Sequence, residues 1–146
     1  MSRPAPANRS DYRHFVPITT RWMDNDVYGH VNNVVFFSYF DTAVSLFEVE
    51  HRLIDLERSP LICVAAEAHC RYHRAIAFPD RIAVGIRCGR LGNSSVRYEI
   101  GVFRDQDEVA AAEGHFVHVF VERSTMQPSP MPAHVRAALQ TILVGV

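Results

Sequence analysis

Residues 21–33 read Arg-Trp-Met-Asp-Asn-Asp-Val-Tyr-Gly-His-Val-Asn-Asn, and a long apolar segment follows at once. Two carboxylates, a glycine, a histidine and two asparagines packed against a core-forming stretch are more than a solvated loop needs. A carboxylate so placed can attack an electrophilic carbonyl carbon, or hold a water as general base. The unpaired amides that open a helix, aided by its dipole, can receive the oxyanion that such an attack creates. The run therefore reads as the mouth of a reaction pocket whose floor is the beginning of a helix.

The elements that must position this run follow from periodicity. Beyond it, polar side chains recur at Ser38, Asp41, Thr42, Ser45 and Glu48, while Val35, Phe36, Phe37, Tyr39, Phe40, Ala43, Val44, Leu46 and Phe47 fill the rest of the circumference. That spacing predicts a helix enclosed on most sides, with a narrow polar stripe left over. Asn32 or Asn33 supplies its N-cap. Ahead of the run, residues 14–22 alternate as a first strand, and Pro17 confines that strand to an edge or an interruption. Four more strands are predicted over 62–74, 81–90, 96–103 and 109–121, divided by turn-forming clusters at 78–80, 91–95 and 104–107. In the first of these, Ile62, Val64, Ala66, Ala68, Cys70 and Tyr72 are expected on one face, opposite Glu67, His69, Arg71 and His73. A last amphipathic helix is expected over 133–143. Residues 1–12, rich in Pro, Ser, Asn and Arg, are expected to form a mobile tail to a single domain spanning 13–146.

One strand, one buried helix and four further strands make an α+β domain with a long antiparallel sheet. Small residues at Ala65, Ala66, Ala68, Gly85, Gly101 and 110–112 would let about five strands curl around the thick helix, which is the hotdog fold. A single such layer leaves apolar helix and a sheet edge uncovered, so a homodimer or homotetramer is expected.

The segments Trp22-Met-Asp-Asn-Asp26 and Gly29-His-Val-Asn-Asn33 resemble the signature of the 4-hydroxybenzoyl-CoA thioesterase family of hotdog proteins. The resemblance extends from about residue 15 to 124 and takes in the segment 71–80 and the turn 90–95. It implies an acyl-CoA thioesterase that needs no cofactor. It implies that Asp26, the second carboxylate of the Asp-x-Asp pair, is catalytic, as nucleophile or general base. It also implies that a backbone amide at the start of the helix, of Asn33 or a neighbour, binds the thioester carbonyl. On the same grounds the pantetheine arm of coenzyme A runs past the Arg90, Ser94 and Ser95 turn at a subunit interface, where those side chains suit a phosphate. Arg74 is a further candidate of that kind.

Each residue also has a plainer reading. Asp26 could cap a turn ahead of Tyr28 and Gly29. Asp24 is expected as a salt-bridge or turn partner, with Arg21 the nearest cation. His30 either fixes the loop by hydrogen bonding or donates a proton. Gly29 is read as a backbone conformation that only glycine adopts cheaply. Tyr28 either lines the acyl pocket or packs, and Asn32 and Asn33 serve as caps and pocket edge together. A hotdog hydratase or dehydratase is the next reading, but its Gly-Asp-x-Asn-Pro-x-His pattern lacks a counterpart here; a non-catalytic acyl-thioester-binding protein is the third.

Composition narrows the partners. The 146 residues are 48% hydrophobic with a formal net charge of −1 and no basic stripe, which argues against nucleic acid. All fifteen basic residues are Arg, so Schiff-base chemistry on a lysine is excluded. Cys63, Cys70 and Cys88 form no Cys-x-x-Cys pair, and together with the lack of an apolar leader they point to the cytoplasm. No stretch is long enough to span a membrane. No metal site is expected: Glu67, His69, Arg71 and His73 read as an exposed or interfacial strand face, and His115 and His118 fall on opposite faces of one strand.

Overall fold

A computed structural model describes residues 2–145; Met1 of the expected tail and Val146 at the end of the expected domain lie outside them. Strand β1 spans His14–Thr19, helix α1 Asn33–Glu50, β2 Leu61–Tyr72, β3 Arg81–Leu91, β4 Ser95–Arg104, β5 Ala112–Glu122 and helix α2 Ala133–Gln140. The five strands form one sheet in the order β1-β3-β4-β5-β2, with every neighbouring pair antiparallel. Phe36, Tyr39, Phe40, Ala43, Val44 and Phe47 of α1 are buried in one cluster with Val84, Ile86, Val96, Tyr98, Ile100, Val102 and Phe116 of the sheet. This is the hotdog arrangement, a sheet packed around one long buried helix.

The alternation of β4 survives intact. Val96, Tyr98, Ile100 and Val102 are buried beneath α1, while Arg97 and Glu99 stand on the other face and pair with each other. Pro17 lies in β1, an edge strand, where its missing N–H costs no ladder bond.

Several boundaries differ from expectation. β1 stops at Thr19 because residues 22–24 close a single 3-10 turn, with the Asp24 amide donating to the Arg21 carbonyl at 3.0 Å. β5 begins at Ala112, not Val109, because Val109 bridges to Asn8 instead. α2 ends at Gln140; the chain beyond it returns to the sheet, where the Val144 amide donates to the Cys88 carbonyl at 2.9 Å.

The largest correction in the strands concerns β2. Ala65 pairs with His118 but Glu67 pairs with Val117, so Ala66 is an extra residue. Such a bulge inverts the phase of the strand. Cys63 and Ala65 therefore share the helix-facing side with Ala68, Cys70 and Tyr72, whereas Ile62 and Val64 lie on the outer face with Glu67, His69 and Arg71.

The structure also differs from the expected tail. Residues 7–12 are packed on the outer face of the sheet: the Ala7 amide donates to Glu113 Oε2 at 2.7 Å, the Arg9 amide to the Glu108 carbonyl at 2.8 Å, and Tyr12 is buried. Its ring sits where side chains at two glycines would be. A Cβ on Gly85 would come within 2.9 Å of the Tyr12 side chain, and one on Gly101 within 2.7 Å. Those glycines thus admit a tyrosine on the outer face; the close approach, more than any curl around α1, demands them.

Candidate active site

The loop between β1 and α1 is built on Asp24, which is 1% exposed. Its Oδ2 accepts from the Arg21 amide at 2.9 Å and from the Tyr39 hydroxyl at 2.7 Å, and its Oδ1 accepts from Arg21 Nε at 3.0 Å. Burial opposes the charge, but the Tyr39 hydroxyl and the Arg21 amide and guanidinium outweigh it and hold the carboxyl below its ordinary value. The Asp24 carbonyl in turn accepts from the Asn32 amide at 2.9 Å. Asp24 is thus a fixed charge that locks the loop to the helix, as the Arg21 pairing leads one to expect.

Asp26 is half-buried and differently placed. Its Oδ1 accepts from the Tyr28 amide at 2.9 Å, so the turn-capping contact does exist. Its Oδ2 accepts from Asn32 Nδ2 at 3.2 Å. Between them the Asp26 amide donates to the His30 carbonyl and the Gly29 amide to the Asp26 carbonyl, both at 3.0 Å. Gly29 has φ +82°, the left-handed conformation for which a glycine was expected. With one hydrogen bond on each oxygen, the Asp26 carboxylate keeps free lone pairs on both.

Asn32 joins this carboxylate to α1. Its Oδ1 caps the helix by accepting from the Val34 amide at 3.0 Å, while its Nδ2 holds Asp26. The Val35 amide donates to the Asn32 carbonyl at 2.9 Å, which leaves the Asn33 amide as the first-turn donor without an acceptor among the described residues.

A cleft of about 310 Å³ opens beside the helix start, lined by His30, Val31, Asn33, Phe36, Tyr72 and residues 73–75. The structure thus brings His30 and Asn33 together on the cleft, with Asp26 behind them on the Asn32 side chain rather than among the lining residues. Tyr28 is exposed and neither lines the cleft nor packs within the chain. Reading the sequence did not point to Tyr72, whose hydroxyl donates to the Asn33 carbonyl at 2.8 Å and whose ring meets Phe36 edge-on. Nothing local marks it; only the pairing of β2 with β5 carries it to the helix.

Arg90, Ser94 and Ser95 are not part of this cleft. The turn sits at the Ser95 end of β4, against Val119, whereas the helix start lies near the Val102 and Ala112 end. At about 3.3 Å of rise per residue, roughly 20 Å of strand separates them. α2 covers the turn, with Arg136 Nη2 donating to the Gly92 carbonyl at 2.7 Å.

Residues 20–139 match the model of the thioesterase-like superfamily. The chain belongs to this family. Superfamily membership makes it a thioester hydrolase, and the hotdog sheet and buried helix agree. Among solved structures it is similar to the PA5185 protein of Pseudomonas aeruginosa strain PAO1, at 46% identity over 96% of this chain and 97% of that one, with a TM-score of 0.92. It is 25% identical to the 1,4-dihydroxy-2-naphthoyl-CoA hydrolase of Synechococcus elongatus over 82% of this chain and 90% of that protein. The uncharacterized protein YsmA of Bacillus subtilis is also 25% identical, over 60% of this chain and only 59% of its own length.

Proposed function

We propose that the protein hydrolyses the thioester of an acyl-CoA to the free acid and coenzyme A, with Asp26 as nucleophile or general base and the Asn33 amide as oxyanion donor. The observation that carries this reading is the double role of Asn32. One side chain fixes the carboxylate through Nδ2 and the opening turn of α1 through Oδ1, so attacking group and oxyanion donor form a single rigid unit. Attack on the thioester carbon, by the carboxylate or by a water that gives it a proton, places negative charge on the carbonyl oxygen. The Asn33 amide and the positive end of the helix dipole stabilise that charge. Collapse of the tetrahedral intermediate expels the coenzyme A thiolate, which takes up a proton. Where the carboxylate itself attacks, water then hydrolyses the resulting anhydride and regenerates Asp26.

The acyl group lies in the cleft against Phe36 and Tyr72. The similarity to a 1,4-dihydroxy-2-naphthoyl-CoA hydrolase makes aromatic acyl-CoA esters the first to assay. No helix among the described residues is long and apolar enough to cross a membrane. The protein acts as a dimer or tetramer in the cytoplasm. The Arg90, Ser94 and Ser95 turn, roughly 20 Å of strand from the helix start, meets the coenzyme A phosphates from a second copy.

The test is release of free thiol from a panel of acyl-CoA esters. Asp26→Asn is expected to lower the rate about 10²- to 10⁴-fold, the range of a lost general base, with circular dichroism unchanged. Undiminished release would remove Asp26 from the reaction, and hydration of an enoyl-CoA without thiol release would replace hydrolysis by the hydratase reading.

A further inference from the structure

The polar stripe of α1 does not serve the helix start. Asp41, Ser45 and Glu48 line a separate cavity of about 340 Å³, together with Cys63 of β2 and His118 of β5. Glu48 is 4% exposed and His118 is 6% exposed, so both charges or dipoles must be met inside the protein. The Tyr98 hydroxyl donates to Glu48 Oε1 at 3.0 Å. His118 Nδ1 lies 3.4 Å from the same oxygen, near enough for attraction but not aligned for a hydrogen bond. That buried nitrogen has no hydrogen-bond partner among the described residues. The Cys63 sulfur completes a trio whose potential ligand atoms all lie within 4.8 Å of one another. Cys63 is there because of the Ala66 bulge, which turns it to the same face as His118.

We propose that Glu48, Cys63 and His118 bind a divalent cation of the zinc class, with a fourth coordination position open to the cavity. One thiolate, one imidazole and one carboxylate suit Zn²⁺ or Co²⁺ and are poorly matched to Mg²⁺ or Ca²⁺, which take oxygen ligands. Bonds of about 2.0–2.1 Å to nitrogen and oxygen in a tetrahedral site place those two atoms roughly 3.4 Å apart. The Glu48 and His118 atoms already stand at that separation, and the Cys63 sulfur lies within 4.8 Å of both. Tyr98 holds the carboxylate from outside, as outer partners of metal ligands do.

The protons balance simply. Burial, with Glu48 next to it, raises the Cys63 thiol far above its ordinary value, so without a cation the sulfur stays protonated and is no nucleophile. Coordination forms the sulfur–metal bond and releases one proton to solvent, while His118 binds through Nδ1 as neutral imidazole. Glu48 lies near the far end of α1 from Asn33, roughly 20 Å away at about 1.5 Å per helical residue, so the cation takes no part in thioester cleavage.

The experiment is a titration of chelator-treated protein with Co²⁺ followed by Zn²⁺. A thiolate-to-cobalt charge-transfer band in the near ultraviolet should appear and saturate at one equivalent per chain. Zinc should abolish it and raise the thermal midpoint. Cys63→Ser should remove the band, Glu48→Gln should weaken cobalt affinity at least about 10-fold, and Cys70→Ser should change neither. Absence of the band in the wild-type protein, or its persistence in Cys63→Ser with the fold intact, would overturn the proposal. The wild-type titration decides the matter even if the Glu48 or His118 variants fail to fold.

Discussion

Asp24 and Asp26 are two residues apart, yet their surroundings assign them opposite tasks. Asp24 is enclosed by donors, and its depressed pKa means it stabilises the fold above the unfolded value of about 3.8 and ceases to do so as pH falls through the lower folded value. Tyr39→Phe removes one donor from that charge. It should cost about 1.5–3 kcal/mol at neutral pH by urea unfolding. It should also move acid unfolding to higher pH, because the folded carboxyl then titrates nearer its unfolded value. Asp26 keeps lone pairs free, and among the described residues its one side-chain donor is Asn32. Asn32→Asp should therefore separate two properties that Asn32→Ala would lose together. The cap acceptor survives, so far-ultraviolet circular dichroism should still show α1 formed. The amide donor is lost and a like charge takes its place, so thiol release should fall at least about 10-fold at neutral pH. Undiminished release would show that the Asn32 amide does not hold Asp26 for the reaction.

At the scale of elements, the outer face of the sheet depends on Tyr12 fitting over Gly85 and Gly101. Gly101→Ala should destabilise by about 1–3 kcal/mol through overpacking and Tyr12→Ala by about 2–5 kcal/mol through a cavity. The double variant should cost less than their sum, because the methyl group then has room; strict additivity in urea unfolding would mean that the ring and the glycine do not meet. This contact explains why the N-terminal segment was misread. Its partners, Val109 and Glu113, are some hundred residues away, and no local pattern announces them. β4 was legible because alternate burial is written into Val96, Tyr98, Ile100 and Val102. α1 was legible because its polar stripe has helical spacing, and Asn32 was readable as a cap from its place before an apolar run. In β2 the bulge at Ala66 carries no mark beside an equally small Ala65, so the same rule that succeeded for β4 assigned Ile62 and Val64 to the wrong face. The carboxylate, glycine and helix start could be found in order along the chain, whereas Tyr72 and the remoteness of the Arg90 turn are consequences of strand pairing.

For the whole molecule, a single chain is an unfinished surface. β2 is a sheet edge whose residues 65–69 are exposed, and Trp22, Met23, Val27, Tyr28 and Val34 are each at least 66% exposed around the loop that carries Asp26. Apolar groups gathered so closely call for a cover. Sedimentation velocity at micromolar concentration should show a dimer or larger species, and specific activity should fall on dilution below its dissociation constant. A fully active monomer would refute this. If the Arg90 turn of a second copy meets the nucleotide, Arg90→Ala should raise KM for coenzyme A esters about 10-fold, the loss of one charge-assisted phosphate contact, and leave a truncated thioester unaffected. Equal losses on both substrates would remove the turn from recognition.

Because Asn32 grips both the carboxylate and the opening turn of α1, warming that frays this turn also lets go of Asp26. Hydrolysis should then fail several degrees before the sheet melts. In a temperature ramp, turnover would fade while the ellipticity of the strands is still undiminished.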